Sequence, residues 1–391
     1  MRILIVHNYY QDAGGEDVVF QQESTALSEI RGYDVQTLTF RNKKGWRGAW
    51  QFLWSPWNIF AANKLKKHIR TFRPDIIHIH NTQYACGPIL IRIAKNAGIP
   101  VVMSLHNFRL LCPSATLFHR GQLFTKSIKA SFPWYAIRQK VLDNSLFKTA
   151  WTAISYWLHR KLGTWQYVSR YLVLADFSKH LIESSSLEIN PDKILVKPNF
   201  VKIQAFDEPV TERSDDFLYV GRLSAEKGIL ELMQALANTS HTLKIAGAGP
   251  LQQDVDRLVS QNTNFAYLGS LTKEEVYQEM RGCKALIVPS LCYEGGAPLT
   301  VIEAMMVRTP IVASKLGAIA DVIIDNETGY TFDPTQASSI VAALDQMEND
   351  SSTHRSAIAK KAKTFALEHY SEQHIMTILQ HVYDQVSSTN A

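Results

Sequence analysis

Residues 286–309, LIVPSLCYEGGAPLTVIEAMMVRT, admit few folds. The apolar run 286–289 has the composition of a strand in a parallel sheet covered on both faces. The polar loop Tyr293-Glu294-Gly295-Gly296 follows, then Ala297-Pro298-Leu299-Thr300-Val301-Ile302-Glu303-Ala304, in which Pro enters a helix on its first turn. Strand, glycine loop and helix in that order build an open α/β sheet, whose ligands bind where strand carboxyl ends face helix N-termini. Amides there are unpaired and the helix dipole favours an anion. Carboxylates beside such a site, Glu294 and Glu303, suit neutral hydroxyls. The predicted ligand is a nucleotide or sugar, with backbone amides on its phosphates and carboxylates on its diols.

A chain of 391 residues exceeds the size at which one core divides, so two domains of about 150 to 200 residues are expected. The hinge is expected near residues 199–212. No run of 18 apolar residues is present, which argues against a spanning helix. The start, MRILIVHNYYQDAGG, reads as a first strand and loop rather than a signal peptide. Cys86, Cys112, Cys283 and Cys292 lack metal-site spacing and read as reduced cysteines of a cytosolic protein. Charge is unevenly divided. Residues 1–200 carry 26 Lys and Arg against 12 Asp and Glu, a balance of +14, whereas 201–391 carry 15 against 24, a balance of −9. Halves of opposite sign suggest separate partners and fit a cleft whose walls attract.

In the first half, RILIVH at 2–7 is a buried strand, and Gly14-Gly15 precedes a helical stretch from Val18. Such a turn brings backbone close to a ligand, or is a tight turn only. Residues 41–73 set Trp46, Trp50, Trp54 and Trp57 among Lys43, Lys44, Arg47, Lys64, Lys66, Lys67, Arg70 and Arg73. The tryptophans fall on one helical face until Pro56 breaks it, which suits an anionic bilayer surface; a helix packed on its own sheet with solvated lysines is the other reading. In the strand at 75–80, alternation puts His78 and His80 on one face. A two-His metal site is conceivable, but a hydrogen-bonded strand-end His is preferred, since no third ligand has a recognisable spacing. His106 closes the apolar strand 100–105 and points toward the predicted ligand edge, while Arg109 and Arg120 could hold charge on an acceptor or be solvated side chains. The path of 112–165 is not legible.

In the second half, Gly221-Arg222-Leu223-Ser224-Ala225-Glu226-Lys227-Gly228 reads as a glycine turn between strand and helix, with two cations five residues apart. That spacing matches a diphosphate. Gly247-Ala248-Gly249-Pro250 is a second tight turn, and the end of the chain is helical. These pieces resemble the family 4 retaining glycosyltransferases: Gly221-Arg222 through Gly228, Ala246-Gly247-x-Gly249-Pro250, Gly269, Pro289-Ser290, and Glu294-Gly-Gly-x-Pro-Leu-x-Val-Ile-Glu303-Ala-Met. Gly14-Gly15, the Asp75-x-x-His78-x-His80 strand and His106 belong to the same pattern, in the family's order. One departure is that eight residues, not seven, separate Glu294 from Glu303; a one-residue bulge at Gly295-Gly296-Ala297 is expected to absorb it.

The resemblance implies an α/β fold of GT-B type, two Rossmann-like domains facing a central cleft. An acceptor domain at 1–200 and a nucleotide-sugar domain at 201–375 are expected, with a terminal helix at 376–391 packing back on the first. It implies that Arg222 and Lys227 hold the diphosphate and stabilise the leaving group. Glu303 takes the ribose hydroxyls, Glu294 lies by the transferred sugar, and His106 contacts that sugar from the acceptor side. The wider nucleotide-sugar site comprises Gly14, Gly15, Gly221, Gly249, Gly295, Gly296, Ala297, Pro298, Leu299 and Thr300. No metal or other cofactor is expected, because cations and amides neutralise the phosphates. Expected partners are a nucleotide sugar, a sugar or polyprenyl-linked glycan acceptor, and an anionic membrane surface through residues 41–73, on the inner face of the cytoplasmic membrane; nucleic acid is not one. A nucleotide-sugar 2-epimerase would want acids on both cleft walls, a phosphorylase a pyridoxal lysine and a longer chain, and a non-catalytic binding module would lose Arg222 and Lys227.

Overall fold

The computed structural model describes residues 1–11, 14–202 and 213–388 and divides into two compact units. Most of the expected hinge, 203–212, lies outside the described residues. Unit 1 comprises Met1–Ala115, Phe124–Asn199 and Glu372–Ala391; unit 2 comprises Thr116–Leu123 and Phe200–Ser371.

The elements up to residue 199 are β1 (Arg2–Tyr9), α1 (Gly15–Glu29), β2 (Asp34–Arg41), α2 (Gly45–Trp54), α3 (Ile59–Phe72), β3 (Ile76–Ile79), α4 (Ile89–Asn96) and β4 (Val101–Leu105). Then come the hairpin β5 (Phe118–His119) and β6 (Gln122–Leu123), α5 (Trp134–Gln139), α6 (Leu146–Lys161), β7 (Arg170–Val173), α7 (Asp176–Glu183) and β8 (Ile194–Val196). The sheet of unit 1 is parallel in the order β2-β1-β3-β4-β7-β8. Its order reverses between β1 and β3, which defines where a ligand has room at the strand ends. Ile3, Leu4, Ile5 and Val6 are fully buried, as expected of a central strand covered on both faces. Pro56 divides the aromatic segment as its missing N–H requires: α2 stops at Trp54, a short 3-10 turn spans Ser55–Trp57, and Asn58 caps α3 by accepting from the Ala61 amide.

The remaining elements are β9 (Asp216–Val220), α8 (Ile229–Leu236), β10 (Thr242–Ala246), α9 (Gln252–Gln261), β11 (Phe265–Gly269), α10 (Lys273–Gly282), β12 (Leu286–Val288), α11 (Leu299–Met306), β13 (Ile311–Ser314), β14 (Tyr330–Phe332), α12 (Ala337–Asn349), α13 (Ser352–Tyr370) and α14 (Glu372–Ser388). Unit 2 has a parallel sheet in the order β11-β10-β9-β12-β13-β14. Successive residues of β9 feed opposite layers: Phe217 and Tyr219 pack with α8 and α12, Leu218 with α11 and α13. Each such fully buried apolar side chain stabilises by about 1.5–3 kcal/mol.

Two segments leave the half in which the sequence order puts them. The hairpin β5–β6 belongs to unit 2, where Phe118 clusters with Leu291 and Cys292. Residues 116–123 therefore do not lie in the first domain, in contrast with the division at residue 200. The chain breaks its helix at Ser371, and α14 belongs to unit 1, with Ile375, Leu379 and Tyr383 fully buried. Pro298 is the residue before α11, not its first turn.

Candidate functional site

In unit 2 the sheet order reverses between β9 and β12, the strand pair whose loops carry the predicted diphosphate and sugar groups. After β9 the chain runs through Gly221, Arg222 and Ser224 into a 3-10 turn, Ala225–Lys227, and Gly228 at φ 71° starts α8. A Cβ at Gly228 would sit 2.0 Å from the Pro289 carbonyl oxygen, so glycine alone lets the two loops close up. The Leu291 amide then donates to the Glu226 carbonyl at 2.9 Å. This closure puts Lys227 Nζ 2.6 Å from Glu294 Oε1, which also accepts from Ser290 Oγ at 2.7 Å. Burial alone would lower the Lys227 pKa, but Glu294 outweighs it and the ammonium is held well above its usual range. The pair keeps some contact with solvent, 30% for the lysine and 15% for the glutamate. Arg222 is exposed and, among the described residues, its side chain has no hydrogen bond or ion pair; its carbonyl accepts from the Tyr219 hydroxyl at 2.8 Å.

Glu303 projects from the second turn of α11 and accepts from the Tyr277 hydroxyl at 3.2 Å. Its carboxyl is raised by burial, an effect that Lys273 and Tyr277 partly offset. Residues 295–298 form the non-helical run between Glu294 and α11, so Gly295, Gly296, Ala297 and Pro298 lead into the first-turn amides of Leu299 and Thr300. Those amides have no partner within the helix. Gly249 has a packing reason instead: a Cβ there would meet the Leu223 carbonyl oxygen at 2.3 Å.

Unit 1 brings its histidines to the corresponding edge, around β1, β3 and β4. His7 Nε2 lies 2.7 Å from Asp17 Oδ1, while Asp17 Oδ2 accepts from the Gly14 amide at 3.2 Å and so closes the start of α1. Burial lowers the His7 pKa to about 4. Gly14 and Gly15 need no glycine for packing or for positive φ, since a Cβ at either would meet nothing within 4 Å among the described residues. They leave open space before the amides of α1.

Deeper in, Glu23 of α1 is fully buried and bonded to the ammonium of Lys197, which follows β8. Burial would raise the Glu23 carboxyl, but Lys197 and His80 hold it well below the usual range. Its Oε1 lies 3.4 Å from His78 Nδ1 and 3.3 Å from His80 Nε2. These three side chains could hold a metal ion by geometry, and Glu23 is the third group that sequence spacing did not reveal. Lys197 supplies the cation there, and His78 is already bonded to the Tyr383 hydroxyl at 2.7 Å and to Ser104 Oγ at 2.9 Å. His80 Nδ1 is 3.1 Å from His106 Nε2, with the rings stacked. An ionised Glu23 favours the proton on His80 Nε2. His80 Nδ1 then accepts from His106 Nε2–H, and His106 Nδ1 is left as an acceptor. Burial keeps His106 neutral, with its pKa well below the ordinary value. A pocket of about 330 Å³ is lined by His80, Asn81, His106, Arg109, Tyr156 and Glu16. Glu16 accepts from Tyr10 at 3.1 Å, and burial pushes its carboxyl up to about 8.

The two halves match models of the same enzyme group. Residues 201–365 match "Glycosyl transferases group 1" and residues 13–204 match "Glycosyltransferase Family 4". The chain belongs to the family 4 glycosyltransferases. A sulfoquinovosyl transferase of Arabidopsis thaliana is 26% identical over 328 residues, 79% of this chain and 56% of that protein. The O-antigen chain mannosyltransferase C of Escherichia coli is 24% identical over 192 residues, 46% of this chain and 52% of that one. This glycosyltransferase thus spans little more than half the length of either relative. The crystal structure of HepE from Anabaena in complex with UDP and glucose superposes with a TM-score of 0.68 at 18% identity, covering 99% of this chain and 100% of that one. The fold is GT-B, built on two Rossmann-like domains.

In this glycosyltransferase, Gly221, Arg222, Lys227, Glu294 and residues 295–300 gather on the β9 and β12 loops, with Glu303 one turn further. His106, Gly14 and Gly15 stand on unit 1. Arg109 lines the His106 pocket, whereas Arg120 is exposed at the turn of β5–β6, which belongs to unit 2. Sequence reasoning missed Glu16, Glu23, Lys197 and Tyr277. A lysine ending the apolar run Ile194-Leu195-Val196 was the available signal, since a buried ammonium requires a partner.

Proposed function

We propose that this glycosyltransferase moves a hexosyl or related group from a nucleotide-diphosphate sugar to a sugar or lipid-linked acceptor, with retained anomeric configuration. Surface polysaccharide or glycolipid synthesis is the proposed setting. The observation that carries this is the Lys227–Glu294 pair at the β9/β12 reversal, beside the exposed cation Arg222. A diphosphate entering that edge meets Arg222, Lys227 and the first-turn amides of α11, with the ribose hydroxyls at Glu303. Lys227 exchanges part of its contact with Glu294 for the departing phosphate, where charge builds in the transition state. The bond from the anomeric carbon to the phosphate oxygen breaks, and the acceptor oxygen bonds the same face. The acceptor's proton passes to the departing phosphate. His106 Nδ1, as an acceptor, orients a sugar hydroxyl. The UDP in the HepE complex supports a nucleotide-diphosphate donor, and the O-antigen relative supports a surface glycan product. No metal is required in this scheme, because the cations and amides serve the diphosphate.

The acceptor side is proposed to work against an anionic membrane surface. Trp46, Trp50, Leu53, Trp54, Trp57 and Phe60 are exposed on α2, α3 and the turn between them, with exposed Lys64, Lys66, Lys67 and Arg70 on α3. Among the described residues no helix is long and apolar enough to cross a membrane; the proposed attachment through this face is peripheral, at the cytoplasmic leaflet. Each such cation contributes about 1 kcal/mol near an anionic surface.

The test is protection against thermal unfolding by UDP-, GDP- and ADP-sugars with and without EDTA, followed by product anomer analysis and sedimentation with liposomes. One donor is expected to protect and turn over in EDTA, and anionic vesicles to bind at low salt only. Protection by none, an inverted product, or activity restored only by added metal overturns the corresponding step. Equal sedimentation with neutral and anionic vesicles overturns the membrane reading.

A further inference from the structure

The segment 112–165, whose path the sequence does not reveal, builds one wall of a second pocket in unit 1. It is open to solvent, with about 480 Å³ of empty space that includes this solvent, and shares Arg109, Leu110 and Tyr156 with the His106 pocket. Thr152, Tyr156 and Arg160 recur at four-residue spacing on α6, so one face of that helix lines it. Across from them come Arg109, from the loop after β4, and Ser127. Two features set this pocket apart. Its lining contains two guanidinium groups and no Asp or Glu. Among the described residues, it also contains buried polar groups without a hydrogen-bond partner: Ser127 Oγ and Thr152 Oγ1, on residues each 4% exposed, and Arg109 Nε, although Arg109 Nη1 donates to the Pro113 carbonyl. A buried hydroxyl or N–H left unmatched is costly, and a native pocket that keeps several together is shaped for a ligand that pairs with them.

The chemistry of that ligand follows from the lining. Two arginines without a carboxylate among them select an oxyanion, which guanidinium groups bind through paired N–H donors. The hydroxyls of Ser127 and Thr152 can donate to the same oxyanion. Arg160 is held by Ser186 Oγ at 3.0 Å and faces Glu188 at 3.7 Å, but Glu188 is 83% exposed and screened by water. Tyr156 and Trp157 add aromatic surface on which a sugar ring can lie. We propose that this pocket holds an oxyanion, phosphate or carboxylate, carried on the acceptor sugar, while the reacting hydroxyl of the same acceptor lies in the adjoining pocket at His106. The assignment rests on reading unit 1 as the acceptor side, and it adds that the acceptor is acidic.

The full chain is titrated with glucose 6-phosphate, glucuronate and glucose at one ionic strength, with binding followed by ligand-observed NMR. At least one of the two acidic sugars is expected to bind ten times more tightly than glucose, and which one identifies the oxyanion. Arg160→Gln should lower that affinity about tenfold and leave glucose and nucleotide binding unchanged. Because Arg160 also bonds Ser186, Thr152→Val serves as the second variant. It removes an unpartnered hydroxyl, so the melting temperature should hold or rise while acidic-sugar affinity falls several-fold. Equal binding of all three sugars, binding of none, or unchanged affinity in both variants overturns the proposal. Acidic sugars that bind and respond to both variants, yet leave donor turnover as it is with glucose, overturn the acceptor reading while the pocket remains an anion site.

Discussion

The carboxyl edges of the two sheets hold charge in opposite ways. In unit 2 the Lys227–Glu294 pair lies at a loop junction with part of each side chain in water. In unit 1, Glu23, Lys197 and His78 are fully buried, and His80, beside Glu23, in turn bonds His106. The difference separates two uses of an ion pair. A partly exposed lysine can change partner when a phosphate arrives, because water and Glu294 share its charge beforehand. A buried pair cannot exchange cheaply, and its attraction roughly offsets its own desolvation. What it does supply is orientation: Glu23 decides which nitrogen of His80 carries the proton, and hence what His106 offers.

That contrast can be broken most forcefully at Glu23. Lys197→Met or Glu23→Leu alone should destabilise unit 1 by about 3–5 kcal/mol, because each leaves one buried charge without its partner. The double variant should lose less than either single one, measured by urea unfolding followed by hydrogen exchange at unit 1 amides. A double variant as unstable as the worse single would mean that packing, not charge, sets the cost. Next in size is Lys227→Ala, for which kcat/KM should fall about 10²–10³-fold, on the order of 3–4 kcal/mol, with unfolding stability changed by about 1 kcal/mol or less. A large loss of stability with intact turnover would reverse the roles assigned to the two pairs.

A third effect concerns pH. Burial raises the Glu16 carboxyl from 4.5 to about 8. Its contribution to stability is therefore complete below 4.5 and is lost as pH rises toward 8. Glu23, held low, behaves in the opposite sense: its contribution is present above 4.5 and lost as pH falls. Glu16→Gln should remove the first dependence only, so that its melting temperature gains on wild type steadily between pH 4.5 and 8. A constant offset across that window would place the Glu16 carboxyl near its ordinary value.

Much of unit 2 was legible because its site is local. Arg222 and Lys227 follow β9 within seven residues, Glu294 follows β12 within six, and strand, glycine and helix signals bracket them. Two strands adjacent in a parallel sheet deliver such loops to one edge, whatever the rest of the chain does. The packing demand at Gly228 and Gly249 was legible only as glycine, since the atoms that forbid a side chain there belong to Pro289 and Leu223.

By itself, the sequence determined the two parallel α/β sheets, the break at Pro56, and which residues stand at strand ends, because apolar periodicity, proline geometry and glycine turns act over a few residues. Only tertiary structure decided the pairing of Glu23 with Lys197, 174 positions apart, and of His78 with Tyr383, 305 apart. The return of α14 to unit 1, the transfer of 116–123 to unit 2 and the arginine pocket behind His106 were decided at the same level. Their common cause is burial. A charge or hydroxyl removed from water must find a partner wherever the folded chain brings one, and nothing in local sequence records how far away that partner lies.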